Sequence, residues 1–571
     1  MTQPTRSSFF RELLVLAFGI LILSIVSYSL ALADPYVDRN SPWKLVTLNA
    51  APLFLAGATI FLISGRLLLT ILIEASAAFS IFHAHQRKLE ELSLPLTFSD
   101  FQMIPQFLRS PALLFHFGGW SLLACAMTVA ILVLASLRWE PTMFKRPTRL
   151  VAIFLATLPA TALFAGTPLQ PLYEKLTFTP WLLSQSTRRN GLLASLVQES
   201  SRQATSIPKP DMALLAPYLE KSNAPSTAIP STLPDIVIWL SESFFNPGRL
   251  NGLEGCDYIP NTCKLTRQFP HGDLIIPTYG GMTIRTEFEV LTGIPMQRIR
   301  SHTYPYLSLG HRKINSLAWH LRQLGYQTTA IHTHDRTFWN RNIALPNLGF
   351  KRWLGKEDIG PAETDGYYTK DSVLTDRVTR ILENTNKPQL VFAISMEAHG
   401  PWGKQNLDTA RLAAIPLPDK LTDPDRTKFK QYLYHLMEAD RQLARMAQYV
   451  AKRKKPTIML FFGDHLPGLT NIYEKLGFRN GKTPKEQATD YIVIGNFRFE
   501  WPHKKLASWQ ISTELLTRLQ LLGTSQFRIY QELYTATEQW SQADPDCRNT
   551  LCAVLKSVQL YQLSYTPDND H

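Results

Sequence analysis

The chain has 571 residues and a formal net charge of +13, yet its 59 Lys and Arg residues are scattered rather than gathered into a basic stripe interleaved with aromatics, which excludes nucleic acid as a partner. The length exceeds one ordinary soluble core, and the apolar residues crowd into the first third, so two regions with different surroundings are expected. The surplus basic charge fits attraction to anionic lipid headgroups, or simply a solvated surface.

Between Phe9 and Gly166, five apolar runs predict membrane-spanning helices, at roughly residues 10–32, 48–63, 67–84, 113–136 and 149–166. The second and third are short, and Ser64-Gly65-Arg66 reads as a hairpin between them or as a break in one long helix. Arg6 and Arg11 before the first run, with Arg138, Lys145, Arg146 and Arg149 between the fourth and fifth, belong on the cytoplasmic side. Everything after the fifth run is then outside. The first run ends in Ala31-Leu32-Ala33-Asp34, which also resembles a signal-peptidase site, although the run is long enough to remain as an anchor. Residues 85–111 carry mixed charge and apolar residues, suiting either the outer membrane surface or a polar connector. Residues 167–198, with Trp181, Arg188 and Arg189, suit a juxtamembrane collar, and the Pro-, Ser- and Ala-rich stretch 203–234 reads as a linker. The expected divisions are 1–166 for the transmembrane region, 167–234 for juxtamembrane helices and linker, and 235–571 for the folded domain.

Cys125 falls in an apolar run, whereas Cys256 with Cys263 and Cys547 with Cys552 form two close pairs. These suit short-loop disulfides in an oxidising compartment, the alternative being four unrelated thiols. No CxxC pair points to structural zinc.

Past Pro234, short β-branched runs alternate with helical periods, which predicts a mostly parallel sheet covered by helices. Strands are expected at 236–240, 274–277, 328–332, 390–395, 457–462 and 491–494, and helices at 313–324, 370–384 and 425–454. In such sheets the ligand lies at the carboxyl ends of the strands. Four ends carry polar groups: Ser241-Glu242-Ser243, His332-Thr333-His334-Asp335, Glu397-Ala398-His399-Gly400 and Gly463-Asp464-His465. Glu242, Asp464 and His465 supply two carboxylates and an imidazole, a set suited to Mn, Zn or Mg. Taken alone, an Asp-His dipeptide such as Asp464-His465 is more often a helix cap or a solvated turn than a metal ligand; its place directly after the apolar run 458–462 is what singles it out. Tyr279-Gly280-Gly281-Met282 leads into a predicted helix beginning near Thr283, and small residues before a helix amino terminus suit an anion. Thr283 is then either a helix cap or a hydroxyl nucleophile.

Together these motifs resemble the lipoteichoic acid synthase and periplasmic-glucan phosphoglycerol transferase branch of the alkaline phosphatase–sulfatase superfamily. The resemblance runs from about Asp235 to Tyr565 and rests on Ser241-Glu242-Ser243-Phe244, on Gly281-Met282-Thr283 with Thr286-Glu287-Phe288, on Phe338-Trp339-Asn340-Arg341-Asn342, and on Gly463-Asp464-His465. It implies a membrane-anchored α/β protein whose bundle of about five spans precedes an extracytoplasmic sulfatase-like α/β/α domain. It also implies one divalent metal, Mn2+ before Zn2+ or Mg2+, held by Glu242, Asp464, His465 and the Thr283 hydroxyl. Trp339 and Arg341 would hold a phosphoglycerol headgroup, with His332 and His399 lining the same pocket. The implied reaction takes phosphoglycerol from phosphatidylglycerol onto Thr283 and then onto an acceptor hydroxyl, His399 assisting the entering or leaving oxygen.

Two residues depart from the family pattern: His334, where a smaller or acidic residue is expected, and Met282, where Gram-positive relatives often carry a basic one. The cysteine pairs favour a bacterial periplasm, hence an inner-membrane protein and a periplasmic glucan or other envelope glycan as acceptor. A phosphoethanolamine transferase is the nearest rival. A sulfatase activity is disfavoured because no Cys-x-Pro-x-Arg or Ser-x-Pro-x-Arg sequence supplies its modified nucleophile. An inactive binding or sensing module would require a missing catalytic residue.

Overall fold

The computed structural model describes residues 6–564 apart from 39, 41, 93, 105–126, 144–145, 165–169, 178–182, 204–208, 224–228, 300–301, 384–385, 404, 503–504 and 536–549. The chain divides into two compact units, Met1–Thr205 and Ser206–His571.

In the first unit α1 (Arg6–Leu32), α2 (Trp43–Ser64) and α3 (Leu67–Leu92) are the three described helices long and apolar enough to cross a membrane. Among the described residues, three therefore stand where five runs were expected. The fourth run lies mostly outside the described residues, leaving Met127–Trp139 as a shorter apolar helix, and the fifth coincides with a helix over Arg146–Phe164. The break between α2 and α3 is real. Gly65 ends α2 in the left-handed region, φ 66°, a conformation that costs glycine least. Glu140 then receives the orphan N–H groups of Leu68 and Leu69 at 2.8 and 3.0 Å, so the amino terminus of α3 meets a carboxylate. Of the expected collar, Arg188 and Arg189 lie on the helix Leu183–Asn190, while Trp181 is outside the described residues. The stretch read as a linker contains a helix, Met212–Asn223.

The second unit holds an eight-stranded sheet and a small hairpin. The strands are β1 (Asp235–Ser241), β2 (His271–Ile275), β3 (Gln327–His332), β4 (Arg352–Leu354), β5 (Thr364–Asp365), β6 (Tyr368–Thr369), β7 (Gln389–Ile394), β8 (Thr457–Gly463), β9 (Thr489–Gly495) and β10 (Leu506–Ala507). The sheet order is β10-β2-β9-β8-β1-β7-β3-β4, and β5 pairs with β6 alone. The sheet is mixed: β9 runs antiparallel to both β8 and β2, and the remaining pairings are parallel. The strands β4, β5, β6 and β10 have only two or three residues each, too few for alternation to register in the sequence.

β1, β7 and β8 are buried at every position because both faces of the sheet are covered, which is why they read as unbroken apolar runs. On one face Val237, Trp239, Val391, Ala393, Met459 and Phe461 alternate into a cluster with Leu374 and Val378 of the helix Asp371–Glu383 and with Tyr432, Leu436 and Leu443 of the helix Asp423–Lys452. The helix expected from residue 313 starts instead at Leu317, where the Ser316 hydroxyl accepts the Trp319 N–H. Cys256 and Cys263 form a disulfide with Cα atoms 5.7 Å apart. Of the second expected pair, Cys547 lies outside the described residues.

Candidate active site

The register of the central strands assembles the site. Ser241 at the end of β1 pairs with Gly463 at the end of β8, so Glu242 and Asp464 leave the sheet side by side. The approach is close: a Cβ on residue 463 would lie 1.8 Å from the Phe244 carbonyl oxygen, so only glycine fits. The chain turns at Ser243, φ 54°, whose N–H donates to Asp464 Oδ1 at 2.8 Å and whose hydroxyl donates to Glu242 Oε1 at 2.8 Å. From β7, the Ser395 hydroxyl accepts the Glu242 N–H at 2.9 Å. The two carboxylates are thus held by three neighbouring strands.

Glu242, Asp464 and His465 are buried, and one ligand atom of each lies within 4.8 Å of the others. The Nδ1 of His465 lies 3.0 Å from the Leu466 carbonyl and so carries hydrogen, which turns the Nε2 lone pair toward the carboxylates. Nε2 is 3.2 Å from Asp464 Oδ2 and 3.4 Å from Glu242 Oε1, and Asp464 Oδ2 and His465 Nε2 make no hydrogen bond. Such buried, unmet acceptors are costly unless a cation or proton sits among them. Burial, and then the charge of Glu242, push the Asp464 carboxyl up to about 7. Burial opposes charge on His465, but the carboxylates of Asp464 and Glu242 outweigh it and raise its affinity for a proton. A divalent cation relieves both strains, and two carboxylates with one imidazole are a donor set that fits it.

Thr283 is the first residue of the helix Thr283–Thr292. The cap position belongs to Met282, φ 65°, and the Thr283 hydroxyl does not cap the helix; it points to Glu242 Oε2 at 3.4 Å. Three residues on, the Thr286 hydroxyl donates to the Asp464 carbonyl at 2.9 Å, pinning this helix end against β8. A buried hydroxyl therefore stands at the positive end of a helix, beside the three candidate ligands.

The same helix carries Glu287, which pairs with Arg341 at 2.5 Å with both side chains almost wholly buried, so Arg341 is no surface ion pair. Its Nη1 has no partner. Before it, Trp339 and Asn340 both have positive φ, 59° and 60°, a local strain of ~1–3 kcal/mol per residue that Asn340 offsets by donating to the Tyr306 carbonyl. Trp339 is half-buried and stacks on Tyr304 with ring centroids 5.0 Å apart, so it is not packed within the core. His332, at the end of β3, holds the Ile394 carbonyl through Nδ1 at 2.9 Å. Burial, then the charge of Arg341, keep it neutral, well below the usual histidine range. Ring contacts continue from His332 to His334 (6.0 Å), to Tyr368 (6.1 Å) and to His399 (5.4 Å). Burial, then the charge of His399, lower His334 to about 3.

The structure thus brings Glu242, Thr283, Asp464 and His465 together, and joins His332, His334 and His399 in one run of rings. Tyr368 escaped the sequence reading. It opens the second strand of a two-strand hairpin whose only mark is Asp365-Gly366, and it donates to the Gly400 carbonyl at 2.9 Å. Glu287 was noticed as part of a motif, but not as the counter-charge of Arg341.

A threonine hydroxyl, two carboxylates and an imidazole at the carboxyl ends of a largely parallel sheet define a protein of the alkaline phosphatase–sulfatase superfamily. The chain belongs to the sulfatase family, whose family model matches residues 234–521. It is 27% identical over 502 residues, 84% of this chain and 77% of the relative, to a Rhizobium meliloti (strain 1021) protein named as a cyclic beta-1,2-glucan modification protein. Among solved structures, the integral membrane protein lipooligosaccharide phosphoethanolamine transferase A (EptA) from Neisseria meningitidis matches with a TM-score of 0.50 at 14% identity, over 90% of this chain and 96% of that one. The Streptococcus pyogenes phosphoglycerol transferase GacH, in complex with sn-glycerol-1-phosphate, matches with a TM-score of 0.49 at 19% identity, over 63% and 95%. The protein is a member of a superfamily of phosphotransferases and sulfatases, and its amino-terminal unit carries three helices long and apolar enough to cross a membrane.

Proposed function

We propose that the protein transfers phosphoglycerol from phosphatidylglycerol to an envelope glycan, with Thr283 as the nucleophile. The observation that carries this reading is the buried Thr283 hydroxyl beside Glu242, with the unmet acceptors Asp464 Oδ2 and His465 Nε2 in the same cluster. Glu242, Asp464, His465 and the Thr283 oxygen would hold the metal, with Mn2+ favoured over Zn2+ or Mg2+. When bound, such a cation lowers the pKa of a hydroxyl and offsets charge on phosphoryl oxygens.

Thr283 enters as the alkoxide, its proton lost to solvent beforehand; Oγ1 attacks phosphorus, the P–O bond to diacylglycerol breaks, and a phosphoglycerol-threonine diester remains. An acceptor hydroxyl then attacks the same phosphorus and Thr283 leaves. Two displacements replace one difficult step. His399 gives a proton to the departing diacylglycerol oxygen and takes one from the acceptor hydroxyl. The free Nη1 of Arg341 meets a phosphoryl oxygen, and the helix amino terminus at Thr283 favours the same negative charge. The half-buried face of Trp339 packs on the glycerol carbons. His332, with hydrogen on Nδ1, presents a bare Nε2 that accepts from a glycerol hydroxyl.

A glycan acceptor is supported by the name of the Rhizobium relative, and a periplasmic location by the Cys256–Cys263 disulfide. We expect the purified protein, given a divalent metal, to release diacylglycerol from phosphatidylglycerol, and Thr283→Ala to abolish release. Without acceptor, the Thr283 peptide gains the mass of one phosphoglycerol. Turnover of phosphatidylethanolamine but not phosphatidylglycerol overturns the donor; equal turnover by Thr283→Ala overturns the nucleophile.

A further inference from the structure

One buried imidazole touches both ends of the segment that carries His399. His435, on the helix Asp423–Lys452, is fully buried. Its Nδ1 lies 3.3 Å from Glu397 Oε1 at the start of the segment, and its Nε2 lies 2.9 Å from Gln405 Oε1 at the far end. Between these two contacts stand His399, Gly400 and Trp402.

The hydrogens in this chain follow from the partners. The Gln405 amide nitrogen donates to the Pro401 carbonyl at 2.8 Å, so the oxygen is the atom facing His435. Gln431 locks the Gln405 backbone, accepting its N–H at 3.2 Å and donating to its carbonyl at 2.9 Å. Because Gln405 Oε1 can only accept, His435 Nε2 must carry hydrogen. A neutral ring then has a bare Nδ1, and only a hydrogen on Glu397 Oε1 satisfies it. The other Glu397 oxygen receives the Asp371 N–H at 2.6 Å.

We propose that Glu397 and His435 share one proton that pins both ends of segment 397–405, making His435 a positioning residue that sets the ring of His399. The inference rests on the role given to His399 above. Between those ends the segment is held from the hairpin side, where Tyr368 donates to the Gly400 carbonyl and lies 3.3 Å from His399 Nδ1. Burial sets the proton on the acid, because it raises Glu397 to about 8 and lowers His435 to about 4. The charged or titratable groups facing the pair are Asp365, Lys370, Asp371, Arg411 and Glu438. When the proton leaves, either His435 keeps hydrogen on Nε2 and turns a bare Nδ1 to a carboxylate, or it moves that hydrogen to Nδ1 and turns a bare Nε2 to Gln405 Oε1. Each tautomer sets acceptor against acceptor at one end of the segment.

Glu397→Gln decides the matter, because its amide keeps a donor for His435 and an acceptor for the Asp371 N–H without a titrating proton. In full-length protein acting on phosphatidylglycerol, wild-type kcat is expected to fall with a midpoint near pH 8 as Glu397 ionises. Glu397→Gln is expected to keep neutral-pH kcat within about twofold and to lack that fall. His435→Ala is expected to lower kcat at least about tenfold with little change in donor KM. The thermal midpoint, read separately, is expected to fall in wild type relative to Glu397→Gln as pH rises from the ordinary glutamate range to about 8, because only the folded acid holds its proton there. An inactive Glu397→Gln protein, or one that keeps both the wild-type fall in kcat near pH 8 and the wild-type pH dependence of the thermal midpoint, overturns the proposal. Full activity of His399→Ala, with the midpoint difference intact, overturns the role of His399 and leaves the shared proton standing.

Discussion

Glu287→Gln tests whether Arg341 is held by charge. Glu287 and Arg341 are 0% and 2% exposed, and three N–H···O contacts join them, at 2.5, 3.2 and 3.3 Å. The glutamine retains the shape but removes the counter-charge, and removing one partner of a buried pair costs about 3–5 kcal/mol because the other charge is left buried. At roughly 2 °C per kcal/mol for a large unit, the thermal midpoint of the catalytic unit should fall by roughly 6–10 °C. The assay is thermal unfolding of the detergent-purified protein, run beside Arg341→Met and the double variant. Replacing both charges should recover most of the loss, since buried pairs often exchange for apolar residues at little cost. A single variant within about 1 °C of wild type, or a double variant whose loss equals the sum of the singles, would falsify the claim that the pair acts as a unit.

Two further outcomes are expected. Chelation should lower the thermal midpoint, and added Mn2+ should restore it in wild type but not in Asp464→Asn; a midpoint indifferent to metal refutes the ligand set. Glu289 is buried, accepts the Met296 N–H at 2.7 Å, and is raised by burial to about 7. Its acid form is favoured on folding, so the folded protein binds the extra proton between the ordinary glutamate range and pH 7, and stability should decline as pH rises through that window. Glu289→Gln should flatten the decline in midpoint-against-pH measurements, and superimposable curves would remove Glu289 as its source.

The strand ends that carry Glu242, Asp464 and His465 are legible in the chain before any fold is known. β1 and β8 are buried on both faces and therefore appear as continuous apolar runs, so the polar residues that follow them stand out. The break at Gly65 was legible for a similarly local reason, since glycine after an apolar run suits a left-handed cap. Thr283 was ambiguous, because a cap and a nucleophile look alike until the hydroxyl's partner is known. Folding makes that partner Glu242, across 41 residues of chain. The same holds for Arg341, whose counter-charge lies 54 residues away, and for the direction of β9, which depends on pairing with β8 and β2 rather than on its own residues. His435 sits mid-helix, where sequence marks it only as one more helical residue; its two contacts exist because the helix packs under the loop after β7. Apolar runs are local and leave a pattern in the chain, whereas counter-charges and shared protons are made between residues that meet only after folding.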